Sequence, residues 1–198
     1  MAHGVEERLM SLLRDGALDE LASQAVESYG SELYGFLIHV LGDPTGPEDV
    51  FAQTIEDFWR GLPGFRGRCS VRTWLYKLAH HASVSYLRSP WYRAPRAASS
   101  APSPLIAAAR TLTVSWRRAD VKDRWRELRR EIAAEDRALL VLRVDRDLGW
   151  DEIAHVMLSE SSDDASAMTV TREAERLRTR FQLLKDQLRA RARAVGLR

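Results

Sequence analysis

Apolar residues in this chain recur at intervals of three and four rather than two, the spacing that gathers side chains on one face of a helix. Residues 5–19 and 21–41 read as two successive amphipathic helices, and residues 42–46, with two glycines, as a turn. Pro47, Glu48 and Asp49 make a helix start, because proline fits the first turn and carboxylates favour the positive end of the helix dipole. Phe51, Ile55, Phe58 and Leu62 line the apolar face of that helix, whereas Asp49, Gln53, Glu56 and Arg60 line another. Pro63 and Gly64 end it. A Gly/Arg-rich loop over residues 65–70 leads into a helix over residues 71–88 with two stripes. Val71, Leu75, Leu78 and Ala82 supply a core face, and Trp74, Lys77, His81, Ser85 and Arg88 run along an adjacent polar, basic and aromatic one.

Residues 90–104 contain Pro90, Pro95, Pro102 and Pro104 among Ala and Ser and have no helical stripe, so they read as an extended linker. Beyond it, Val121, Trp125, Leu128 and Ile132 predict a long helix and residues 135–144 another. Residues 148–154 look like the start of the first helix of a helix-turn-helix. Thr169 is the expected cap of the last helix, in which Leu177, Phe181, Leu184 and Leu188 form the buried stripe and Arg178, Gln182, Lys185 and Arg189 a neighbouring face. No strand pattern of useful length occurs. The expectation is an all-α fold: two small helical domains joined by a Pro/Ala/Ser-rich linker, the C-terminal one a helix-turn-helix variant. The boundaries read as 1–20 for an N-terminal helical extension, 21–89 for the first domain, 90–113 for the linker and 114–198 for the second domain.

The chain has 198 residues, 45% hydrophobic and 29% charged, an ordinary globular balance. Its longest apolar runs are five residues, at 105–109 and 138–142. A membrane span needs roughly 18 or more, so none is expected. Glu6 and Glu7 near the start argue against a secretory signal, and Cys69 alone allows neither a disulfide framework nor a thiolate metal cluster. Together these predict a cytoplasmic protein. His80 and His81 do not make a metal site, since adjacent helix positions diverge by about 100° and no Cys or carboxylate joins them. His155 and Ser159 lack a third catalytic partner. No enzyme activity, cofactor or metal is expected.

The net charge of +2 hides a strong alternation. Residues 1–57 carry −10, residues 58–119 carry +11 without one acidic residue, residues 120–168 carry −5, and residues 169–198 carry +6. Trp59, Phe65, Trp74, Tyr76, Tyr86, Trp91 and Tyr92 are interleaved with the cations of the second block. Cations neutralise phosphates and aromatic faces stack unpaired bases, so this block suits a single-stranded nucleic acid. The competing reading is a solvated basic surface over core aromatics. The acidic blocks imply a second partner that is not nucleic acid.

Several motifs together resemble a known family. Gly42-Asp43-Pro44, Pro47-Glu48-Asp49-Val50, Gln53 and Trp59, then Phe65-Arg66-Gly67, Thr73-Trp74-Leu75-Tyr76-Lys77-Leu78-Ala79 and Tyr86-Leu87-Arg88 look like region two of the extracytoplasmic-function sigma factors of the sigma-70 family. Glu135-Asp136-Arg137 with residues 139–144, and Trp150-Asp151-Glu152-Ile153-Ala154, are similar to the start of region four. Leu177-Arg178-Thr179-Arg180-Phe181, continuing to Lys185 and Leu188, is similar to its recognition helix. The resemblance covers roughly residues 20–90 and 120–190. Three features depart from the family's pattern: residues 159–168 make a long turn, Leu183 and Leu184 stand where a basic residue and Ala are common, and His81 stands where Asn is common.

The resemblance implies a subunit that binds bacterial core RNA polymerase and directs promoter recognition and DNA melting. Domain 21–89 would be region two and 114–198 region four. Glu48, Asp49, Gln53, Glu56 and Trp59 would dock on the clamp helices of the beta-prime subunit, and the beta flap would be a further contact. Phe65, Arg66, Arg68 and Ser70 would hold a base flipped from the minus-ten element, while Trp74, Lys77, His81 and Arg88 follow the strand. Arg178, Thr179, Arg180, Gln182 and Lys185 would enter the major groove at the minus-thirty-five element. Family members often have an anti-sigma protein as antagonist. Two alternatives stand beside this reading: a helix-turn-helix regulator acting without polymerase, and an all-helical interaction module for an acidic protein.

Overall fold

The structure, a computed structural model, describes residues 2–42, 46–88, 132–158 and 166–194. The expected linker, the helix built on Val121, Trp125 and Leu128, and most of the long 159–168 turn lie outside the described residues. Among the described residues all regular structure is helical, as expected for an all-α fold, and no helix is long and apolar enough to cross a membrane. The chain divides into two units, Met1–Ser115 and Trp116–Arg198.

The first unit contains α1 (Ala2–Arg14), α2 (Leu18–Leu41), α3 (Gly46–Gly61), a single 3-10 turn (Leu62–Gly64) and α4 (Val71–Arg88). The first helix stops short of the expected residue 19 because Gly16 takes a left-handed conformation, φ +70°. Its N–H bonds back to the Leu13 carbonyl at 3.2 Å and the Ala17 N–H to the Leu12 carbonyl at 3.0 Å, a paired closure that satisfies two terminal carbonyls. The second helix accordingly starts earlier than expected. It is the central element, buried along much of its length, and brings Leu21, Leu33, Phe36 and Leu37 into the core. Phe36 meets Tyr76 of α4 edge to face at 5.3 Å, and Tyr34 meets Phe51 of α3 at 5.7 Å. Burying side chains of this size stabilises by about 1.5–3 kcal/mol each before ordering costs.

Gly46 opens α3 because nothing larger fits: a Cβ there would lie 2.7 Å from the ring of the buried Tyr86. Val50, Phe51, Thr54 and Phe58 form the buried face, and Ile55, expected in that set, is half-buried. The fourth helix has the expected bounds, but its core face is rotated. Tyr76, Ala79, Ser83 and Tyr86 are buried with Val71 and Leu75, whereas Leu78 and Ala82 are half-buried. The reason is that α4 packs on α1, α2 and α3, so more than one stripe is covered.

In the second unit, α5 (Ala134–Leu140) runs on into a π-helical stretch (Val141–Asp145) and is followed by α6 (Trp150–Met157) and α7 (Ala167–Ala194). The Arg143 Nη1 donates to the Leu148 carbonyl at 2.8 Å and closes the turn between α5 and α6. The Glu152 carboxylate accepts the Gly149 N–H at 2.8 Å at the start of α6. Ser166, not the expected Thr169, caps α7: its Oγ accepts the Thr169 N–H at 3.3 Å. The helix therefore starts well before Leu177. Val170, Ala174, Leu177, Phe181 and Leu184 bury one stripe of it against α5 and α6, and Leu188 is half-buried.

Candidate nucleic-acid and polymerase interfaces

The minus-ten residues expected from sequence separate into two groups. Arg66, Arg68 and Arg88 are exposed, and His81 is half-buried beside His80 at 6.0 Å between ring centroids. Ser70, Trp74 and Lys77 are committed to the fold. The Ser70 Oγ accepts the Thr73 N–H at 3.0 Å and so caps α4. Trp74 stacks on Phe65 with centroids 4.4 Å apart and planes 8° from parallel, and it also meets the core residue Phe58 at 5.0 Å. Lys77 keeps only 9% of its exposure. Its stem is seated in the core, whereas the loop arginines and Arg88 are exposed.

Beneath them, His80 is 5% exposed and its Nδ1 makes no hydrogen bond among the described residues. Burial, with the neighbouring His81 as a lesser cause, lowers its pKa to about 4 and keeps the ring neutral at physiological pH.

On α3, Asp49 and Glu56 are exposed, and Gln53, half-buried, donates its amide to Asp57 at 2.8 Å. Glu56 pairs with Arg60, and Glu48 is half-buried. Trp59 projects beside this stripe with 51% of its surface exposed.

The minus-thirty-five set also divides. Arg178 lies over the Trp150 ring at 5.6 Å, Arg143 lies over the same ring at 5.1 Å, and the Lys185 ammonium lies 5.3 Å from the Phe181 ring centre. Gln182 is exposed on the face that Arg178 and Lys185 share. Thr179 instead donates its hydroxyl to the Glu175 carbonyl at 3.1 Å within its own helix. Arg180 turns onto α5, where Asp136 and Glu135 receive it. Burial works against its charge, and the two carboxylate bonds more than offset that, so its pKa is raised.

Three structural roles had no signal in the sequence pattern. Glu6 of α1 accepts hydrogen bonds from the Tyr29 hydroxyl at 2.9 Å and from the Val71 N–H. Arg72 binds Glu32 through two nitrogens, at 2.7 and 3.1 Å. Trp150 is the ring under two guanidinium groups. Only the apolar spacing of Val5, Leu9, Leu12 and Leu13 hinted that α1 packs inward, and Leu9 is indeed fully buried.

Comparison with known proteins agrees with the motifs. The sequence profile of Sigma-70 region 2 matches residues 25–92. The ECF RNA polymerase sigma factor SigX of Bacillus subtilis (strain 168) is 24% identical over 187 residues, which cover 86% of this chain and 89% of that protein. The RNA polymerase sigma factor YlaC of the same organism is 34% identical over 65 residues, 33% of this chain and 35% of that protein. The ECF RNA polymerase sigma factor SigG of Mycobacterium tuberculosis (strain CDC 1551 / Oshkosh) is 31% identical over 65 residues, 33% of this chain and 18% of that protein. The region-two motifs lie on the helical unit that contains the matched residues, and one relative is similar over most of the chain, so this chain carries a sigma-70 region 2 and is similar to the extracytoplasmic-function sigma factors of the sigma-70 family.

Proposed function

We propose how the surfaces of this sigma factor divide the work of transcription initiation. The polar stripe of α3, with Asp49, Glu56 and Trp59 exposed and Gln53 and Glu48 half-buried beside them, docks on the clamp helices of the beta-prime subunit. The loop over residues 65–70 captures an unpaired base of the minus-ten element, with Arg66, Arg68 and Arg88 following the phosphates. The Arg178, Gln182 and Lys185 face of α7 meets duplex DNA at the minus-thirty-five element, and the second unit also contacts the beta flap. Arg180 serves the fold of that unit rather than the groove. As a sigma factor the chain acts through binding, and the polymerase performs the chemistry.

The observation that carries this division is the Phe65–Trp74 stack at 4.4 Å, set among exposed arginines and on a unit whose other exposed stripe is acidic. Taking a base out of the stack costs a few kcal/mol, and an aromatic platform returns about 1–3 kcal/mol per base. Cations alone bind both strands and do not favour opening. Members of the family often bind an anti-sigma protein as well. The regulator acting without polymerase leaves the acidic stripe of α3 unused, so it is the weaker reading.

The test is reconstitution with core polymerase. Asp49→Ala with Gln53→Ala should weaken core binding while helicity is retained. Arg66→Ala with Arg68→Ala should leave closed complexes intact and reduce permanganate reactivity of unpaired thymines. Unaltered core affinity in the first variant, or loss of closed complexes in the second, removes the corresponding assignment.

A further inference from the structure

We propose that α1 positions the minus-ten loop, with Glu6 and Met10 as the residues that hold residues 65–70 in the base-capturing pose. The inference rests on the reading of that loop as the base-capturing one.

Glu6 has both carboxylate oxygens engaged on other elements. Its Oε2 accepts the Tyr29 hydroxyl proton at 2.9 Å, and its Oε1 accepts the Val71 N–H, the first amide of α4 and the one that directly follows the loop. The first amides of a helix have no partner inside it, and a carboxylate there also meets the positive end of the dipole. Ser70 caps the same turn at the Thr73 N–H. The exit of the loop is thus fastened twice, once locally and once from α1. Burial and the bond to Glu6 both raise the Tyr29 pKa, so the hydroxyl keeps its proton and remains the donor.

The middle of the loop rests on α1 as well. Gly67 has φ +66°, and a Cβ at that position would lie 2.8 Å from the Met10 methyl carbon and 3.7 Å from Leu13 Cδ2. The loop backbone therefore lies directly on these two side chains. A loop that must receive one base in one geometry loses affinity if it has to be ordered on binding. Contacts from α1 order it beforehand, and misplacing a binding group by even a small distance erodes discrimination first.

The test uses the full chain assembled with core polymerase, and as probes single-stranded minus-ten oligonucleotides carrying each of the four bases at the captured position. Met10→Ala and Glu6→Ala should lower the affinity ratio of best to worst base by about ten-fold, with core binding unchanged. Glu6→Gln, which keeps an acceptor for the Val71 N–H, should restore most of the ratio. Phe65→Ala is the comparator. If it abolishes discrimination while Met10→Ala leaves the ratio intact, the inference fails and the reading of the loop survives. If Phe65→Ala changes nothing, the reading fails and the inference with it. A uniform loss of affinity for all four oligonucleotides marks a merely structural α1 and also overturns the proposal. Should thermal melting show that Glu6→Ala does not fold, Met10→Ala decides the question alone.

Discussion

Arg180 Nε donates to Asp136 Oδ1 at 2.6 Å, and its Nη1 reaches Glu135 Oε2 at 3.2 Å, so two carboxylates in the first turn of α5 hold a guanidinium from the middle of α7. The Arg180 side chain is 29% exposed and that of Asp136 23%, so solvent screens the pair only in part. Both carboxylates also sit where the dipole of α5 favours negative charge. The arrangement makes Arg180 a tie between helices.

Replacing Arg180 by Ala should therefore lower the stability of the second unit by about 1–2 kcal/mol. Base preference at the minus-thirty-five element should be unchanged. Denaturant unfolding and a competition series of duplexes with single base-pair changes measure the two effects separately. A variant of wild-type stability with altered base preference would reverse the assignment.

Arg178 behaves oppositely because its neighbour is a ring and not a carboxylate. Held over Trp150, the guanidinium is partly ordered before DNA arrives. Arg178→Ala should weaken duplex binding by about ten- to a hundred-fold with relaxed preference at one base pair if it pairs with guanine. If it meets only phosphate, the loss should be uniform and the salt slope should fall by about one unit. Trp150→Phe should retain more duplex affinity than Trp150→Ala.

His80 gives the first unit an acid-sensitive step. Its folded pKa of about 4 lies below the unfolded value of 6.5, so between those limits the unfolded chain binds more protons. The contribution is present in full above about pH 6.5 and is lost as pH falls toward about 4, a total of about 3 kcal/mol. His80→Leu should flatten this limb in melts recorded across that range. It should cost little at neutral pH, because the buried Nδ1 has no hydrogen-bond partner among the described residues.

Ser70→Ala removes the cap of α4 and should destabilise the first unit by about 1 kcal/mol. Ser70→Asp, which can accept the same N–H, should recover that stability in the same melts. A loss confined to DNA binding, with unfolding unchanged, would return Ser70 to the role its place in the loop first suggested.

The helices of both units were legible because their signals are local. Pro47, Glu48 and Asp49 mark the first turn of α3, and Leu177, Phe181 and Leu184 mark the buried side of α7 at spacings a sequence displays directly. The Gly16 closure was missed because the apolar pattern continues through it, and only the left-handed φ reveals the break. The packing of the candidate interface residues was not legible individually. Arg178 and Arg180 look alike in sequence, and only the packing of α7 on α5 turns one toward carboxylates and leaves the other over a ring. Lys77 reads as an outward cation until three neighbouring helices close around α4. Glu6 was illegible for the same reason in stronger form: its partner Val71 lies 65 positions along the chain.

The close approach of Tyr86 to Gly46 bears on how such a protein can be recombined. The first residue of α3 and the last turn of α4 are fitted to each other with no room for a methyl group between them. A graft that exchanges α3 alone would bring a new residue against the same aromatic ring. Such chimeras should fold only when the segments bearing residues 46 and 86 travel together, which makes α3 and α4 a single heritable cassette.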